Sequence, residues 1–165
     1  MDGYNLIGIY HRDLEAERNK LIERLIRYRG SKGHSIVLVF DGWRSGGIKE
    51  EQIEKGGIRI IYSRLGEKAD SVIKRIISTE RKEWIVITSD RDIVAEAWRC
   101  GSTPVSSEVF YERLMAEDKP RASGIGFEAE DKELEYYVLP STSPKGNPRR
   151  LSKKDKAIKR AISKL

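Results

Sequence analysis

Cysteine, histidine and aromatic residues are all scarce in this 165-residue chain: one Cys, two His and 8% Phe, Trp and Tyr. A lone Cys100 can form no internal disulfide and has no metal-ligand companions, which fits a reducing compartment and a cytoplasmic protein. Neither His11 nor His34 has a Cys or a second His nearby, so both read as surface or loop residues and not as zinc ligands. No apolar run approaches the roughly 18 residues of a membrane span. No secretory leader is legible either, because Met1 is followed by an acid and a charge-rich stretch. The glycine-bearing stretches SGGIK and EKGG lack the G-x-x-x-x-G-K-[ST] pattern of a phosphate loop, and GYNLIG is not a dinucleotide fingerprint. Nucleotide-driven motors and dehydrogenases are thereby set aside.

What the chain does have is charge, at 35% of residues and with a net balance of +6. From Pro140 to Leu165 nine basic residues stand against one acid, a balance of +8, so the other 139 residues carry −2. A near-neutral body with a basic tail points to a polyanionic partner engaged by the tail. The tail's apolar stripe has no aromatic anchor, which argues against a membrane surface.

Residues 13 to 29 carry Leu14, Leu21, Ile22, Leu25 and Ile26 at helical spacing, with Asp13 as N-cap. The apolar runs IVLVF (36–40), IRIIY (58–62) and WIVIT (84–88) read as strands buried on both faces, and TPVSS (103–107) as an edge strand. Helical patterns follow them in SVIKRIIS, in DIVAEAWRCG with Gly101 as the stop, and in EVFYERLMAE. Strands alternating with helices predict a three-layer α/β/α sandwich with a mostly parallel central sheet. The expected organisation is a domain over residues 1–117, a linker over 118–150 with a short strand near 135–139, and a basic amphipathic helix over 151–165 capped by Ser152 and Asp155.

In an open parallel sheet, ligands gather at the carboxyl ends of the strands. Two predicted strands end in Asp41 and Asp90, Asp70 opens a helix, and Asp2 sits in an acidic turn at the very start of the chain. Each alone reads as a cap or a solvated loop acid. Together they form a crevice rim whose mutual repulsion a hard divalent cation such as Mg²⁺ or Mn²⁺ relieves.

The segments DGYNLI, VFDGW, GEKADSVI, ITSDRD and SSEVF, in this order and spacing, resemble the YacP-like NYN domain, a branch of the PIN-like ribonucleases, over roughly residues 2 to 114. The resemblance implies a PIN-like fold and metal-dependent cleavage of RNA phosphodiesters. Asp2 and Asn5 match the family's first acid and asparagine, Asp41 its acid after the second strand, Asp70 that of the ADS turn and Asp90 that of the TSD turn. Asp2 and Asp90 are the expected metal ligands, with Asp41 and Asp70 completing the pocket and either one holding the attacking water. Asn5 orients Asp2 or meets the scissile phosphate.

Around this set, Ser89 is read as support for the Asp90 turn, and Asp92 equally as a site member or a first-turn acid. Arg44, Arg91, Arg149, Arg150, Lys153 and Lys154 are the candidate RNA contacts, although a solvated arginine is an equal reading of Arg44 and Arg91. Trp43 reads as rim packing or a base-stacking platform, and Glu67 as a loop acid or a fifth member of the cluster. The expected activity is a metal-dependent endoribonuclease whose basic tail holds mRNA, rRNA or the ribosome. The rival is a non-catalytic RNA-binding or ribosome-associated adaptor, and a structure-specific DNA nuclease shares the same acids. One expectation concerns the start of the chain: an acid like Asp2 normally follows about five apolar strand residues, and only Met1 precedes it, so the first strand reads as truncated.

Overall fold

The computed structural model describes residues 1–7, 13–42, 48–80, 82–117 and 151–165. Helix α1 spans Gly3–Ile7 and α2 spans Leu14–Lys32, the latter started by the Asp13 carboxylate, which accepts from the Ala16 amide. Gly33, at φ 72°, ends α2 in the left-handed region that its missing side chain permits. Strands β1 (Val37–Phe40), β2 (Glu51–Lys55) and β3 (Ile58–Tyr62) form one sheet in the order β1-β3-β2. Next come α3 (Ala69–Thr79), β4 (Ile85–Ile87), α4 (Arg91–Arg99), β5 (Thr103–Val105), α5 (Ser107–Glu117) and α6 (Lys153–Lys164).

The sheet arrangement corrects the sequence-based expectation of a mostly parallel sheet. β1 and β3 are parallel, as are β4 and β5, but β2 runs antiparallel to β3. Gly56 and Gly57, at φ 58° and 76°, supply the two left-handed residues of a tight hairpin turn, which forces β2 back along β3. β4 and β5 form a second, two-stranded sheet. Between the two sheets, Asp2 pairs with Val39 as an isolated parallel bridge.

Alternation along β1 divides the interior in two. Leu38 and Phe40 pack with Leu21, Leu25 and Phe110 in one core, whereas Val39 packs with Val72, Ile73 and Ile93 in the other. Helix α6 belongs to the first core, burying Ala161 and Ile162, and Leu165 just past its end is buried there too. The Tyr28 hydroxyl donates to the Leu165 carbonyl, His34 Nε2 lies 2.8 Å from the Lys164 carbonyl, and Lys154 Nζ sits 5.4 Å from the Trp98 ring centre. The expected Ser152 and Asp155 capping box is present at its start. Among the described residues, no helix is long and apolar enough to cross a membrane. Residues 118–150, including the expected strand at 135–139, lie outside the described residues.

Candidate active site

Asp2 follows the short stretch that runs beside β1: the Met1 amine donates to the Val37 carbonyl at 2.9 Å, and the Val39 amide donates to the Met1 carbonyl at 2.9 Å. One Asp2 oxygen accepts from the Tyr4 and Asn5 amides at 3.0 and 3.2 Å, so the carboxylate caps α1. The next residue has no room for a side chain, because a Cβ on Gly3 would overlap the Phe40 ring. That close approach presses the Asp2 turn against the end of β1. Asp2 is only 9% exposed, and burial pushes its carboxyl up to about 6; the Asn5 amide opposes the shift and the Asp41 and Asp70 charges add to it.

Asp41 leaves β1 at its carboxyl end and accepts from the amide of Ala69, the first residue of α3. Asp70, one residue further on, is raised above the ordinary carboxylate range by burial first, then by the Asp90 and Asp41 charges, against the pull of Lys74 and Lys68. Asp90 follows β4 and caps α4, accepting from the amides of Asp92 at 2.8 Å and Ile93 at 3.0 Å. Its own amide donates to Thr88 Oγ1 at 3.1 Å. Capping and clustering are therefore compatible readings of Asp2, Asp41 and Asp90. Each holds a helix start with one oxygen and has a second oxygen that the cap does not use.

Asp2, Asn5, Asp41, Asp70 and Asp90 line one open pocket of about 480 Å³, joined by Tyr4, Gly66, Glu67 and Lys68. Among the described residues, five carboxylates and a single cation, Lys68, thus face the same space. Glu67, weighed in the sequence as a loop acid, is a wall of the pocket and is held by Arg64 and Arg75 at 3.2 and 3.3 Å. Tyr4 and Lys68 were missed. Tyr4 meets the Phe40 ring edge-on at 5.1 Å, and Lys68 holds the N-cap position of α3.

The other candidates fall around this pocket. Ser89 ties the end of β4 to α5, donating to Glu108 at 2.9 Å and accepting from the Ser107 amide at 3.2 Å. Asp92 lies in the first turn of α4, and Arg91 is that helix's first residue; neither is among the pocket walls. Lys153 and Lys154 open α6 on its exposed side. His11, Trp43, Arg44, Arg149 and Arg150 lie outside the described residues.

The donor set consists of hard oxygen ligands, and the mutual repulsion written into Asp2 and Asp70 is what a divalent cation neutralises. Among the described residues, however, no three such side chains form a ready-made metal cluster.

The same fold is found in known proteins. The crystal structure of Rae1 (YacP) from Bacillus subtilis superposes with a TM-score of 0.54 at 24% identity, over 70% of this chain and 71% of that one. A point variant of the same protein gives 0.53 at 21%, over 70% and 75%. These likenesses establish a shared fold. In sequence, the chain is 29% identical to the uncharacterized protein YacP of Bacillus subtilis (strain 168) over 83 residues, which is 46% of this chain. It spans about half, 48%, of that relative's length. The profile of the YacP-like NYN domain matches residues 1–142, most of the chain, and the chain therefore belongs to the YacP-like NYN domain family.

Proposed function

We propose that this protein is a metal-dependent endoribonuclease that hydrolyses RNA phosphodiester bonds. The observation that carries the reading is the pocket itself: Asp2, Asp41, Asp70 and Asp90 come from four separate parts of the chain to one open space. Membership of an NYN family supports nuclease chemistry on RNA. Mg²⁺ or Mn²⁺, held by these four aspartates with several retained waters, would supply charge neutralisation at a phosphoryl oxygen and a more acidic water.

The chain's own groups divide the remaining work. Asp41 and Asp70 stand at the wall of the same pocket, where either carboxylate can hold the attacking water and accept its proton. Lys68 and the exposed side chain of Asn5 stand at the same space and can hold the phosphate that is cut. Glu67 is fixed in the pocket wall by Arg64 and Arg75, which offset its charge. The basic face of α6 supports electrostatic binding of mRNA, rRNA or the ribosome.

The exposed basic residues of α6, which can hold a polyanion without any chemistry at the pocket, support a second reading, a non-catalytic RNA-binding or ribosome-associated adaptor on the same fold. A panel of single-stranded RNA, structured RNA and DNA, each with and without Mg²⁺ or Mn²⁺, separates the readings. Metal-dependent cutting of RNA supports the first. Binding without cutting supports the second, and cutting confined to DNA replaces the substrate class.

A further inference from the structure

The ladder between β1 and β3 ends where the Ser63 amide donates to the Phe40 carbonyl at 2.9 Å, and past that bond the two chains part. β1 continues into Asp41 and Gly42, and β3 into the stretch from Arg64 to Lys68 that leads to α3. These segments supply Asp41, Gly66, Glu67 and Lys68 to the acidic pocket, and the second also delivers Asp70. Neither belongs to a strand beyond Ser63, so something other than the sheet must hold one against the other.

The Ser63 hydroxyl stands between them. Its oxygen accepts from the Gly42 amide at 2.9 Å, and it donates to the Glu67 carbonyl. The turn that brings Glu67 back is closed by its own amide on the Arg64 carbonyl at 3.0 Å. Ser63 is 0% exposed, so neither bond can be exchanged for water while the site stays closed. A second link runs close by, from the Ala69 amide at the start of α3 to the Asp41 carboxylate. One link between two loops leaves a pivot; two links at different residues fix their relative orientation.

We infer that Ser63 is a positioning residue of the acidic pocket, its hydroxyl setting Asp41 against Glu67 and Asp70 through the Gly42 amide and the Glu67 carbonyl. Ser63 is buried and is not a wall of the pocket, so it acts through the two loops and not on a bound group. One side-chain atom must both accept and donate, which a hydroxyl does and a methyl cannot. Alanine would leave the Gly42 amide and the Glu67 carbonyl unpaired in the interior, and the loops would part to let water reach them. Parting moves Asp41 relative to Asp70, and loss of a group that orients metal ligands costs about 10- to 100-fold in affinity. The consequence for metal rests on the proposed nuclease reading; the coupling of the two loops does not.

The test compares the full chain with Ser63→Ala, with Ser63→Thr and, as a control for general loss of stability, with Ile162→Ala in the core under α6. Two readouts are taken well below the melting transition: calorimetric titration with Mn²⁺ alone, and hydrogen exchange at the Ala69 amide relative to Ile61 of the same chain. Ser63→Ala should weaken Mn²⁺ binding by about tenfold or more and speed Ala69 exchange by about the same factor, although that amide is bonded to Asp41 and not to Ser63. Ser63→Thr keeps the hydroxyl and should restore both, and Ile162→Ala should change neither. A Ser63→Ala chain that binds Mn²⁺ as the parent does overturns the inference, as does an equal loss in Ile162→Ala. If Ser63→Ala does not fold, Ser63→Cys, close to serine in shape but weak as donor and acceptor, is judged by the same criteria. If the parent itself takes up no Mn²⁺, the metal reading fails and exchange alone decides. Faster Ala69 exchange in Ser63→Ala and not in Ile162→Ala then supports the positioning role, and unchanged exchange overturns it.

Discussion

Asp2 and Val39 form a lone parallel bridge, and through it the first acid of the pocket is fastened to the strand that delivers the second, Asp41. The pairing places Asp2 at the same end of the sheet as Asp41, so the site depends on the register of two residues. Small changes there should be felt in both stability and chemistry.

Gly3→Ala is the sharpest local probe. The added methyl would overlap the Phe40 ring, which is fully buried, so ring or turn must move. A loss of about 1 to 3 kcal/mol is expected, typical of overpacking, read from a denaturant midpoint that falls at an unchanged slope. An unshifted midpoint would show that the Asp2 turn does not sit against β1.

Stability should pass through a shallow minimum near pH 6. The Asp2 carboxyl rises from 3.8 to about 6 on folding, so the folded chain holds that proton more tightly and stability falls as pH rises from about 4 to 6. The Met1 amine moves the opposite way, from 8.0 to about 6, chiefly through burial, so stability rises again from about pH 6 to 8. Asp2→Asn keeps a capping oxygen and should shrink the acidic limb to the part that Asp70 contributes, adding up to about 3 kcal/mol at pH 7. Melting curves across pH 4 to 8 that are flat in the parent chain would contradict both shifts.

Helix α6 should behave as part of the body. Ile162 is 4% exposed in the core that also holds Leu25 and Phe110, and Ile162→Ala should cost about 2 to 4 kcal/mol. A helix merely tethered to the domain would lose almost nothing. Chemical unfolding followed by tryptophan fluorescence distinguishes the two, since Trp98 lies under Lys154 of the same helix.

If the exposed side of α6 binds an RNA backbone, replacing Lys153, Lys156 and Arg160 together by Ala should flatten the dependence of log affinity on log salt by about 2. These three side chains are exposed, so the fold should be unaffected. A parallel drop in affinity at every salt concentration, with no change of slope, would point to lost structure instead.

Most of this architecture was legible because its signals are local. The runs ending at Phe40 and Tyr62 are β-branched and continuous, and both became strands buried in the interior. β2 was missed because EQIEK holds one apolar residue among five exposed ones; its only signal was the Gly56 and Gly57 pair after it. Helix α1, five residues long, was read as a turn because too few residues remain to show a period. The four aspartates were recognised from their places after strands and at helix starts. Lys68 was missed because a single lysine in a loop carries no pattern; its role comes from the fold that sets it among five acids. The division of the strands into two sheets is a tertiary fact that no local run of sequence encodes.

The central claim is that the acids act together on RNA, and Asp90→Asn tests it most directly. Asparagine caps a helix about as well as aspartate, so α4 should survive while one negative charge leaves the pocket. Cleavage of single-stranded RNA in Mg²⁺ or Mn²⁺ is expected for the parent chain, abolished by chelation and reduced about a hundredfold in Asp90→Asn, with RNA binding retained. No cleavage by the intact protein with either ion, or full activity in the variant, would contradict the account.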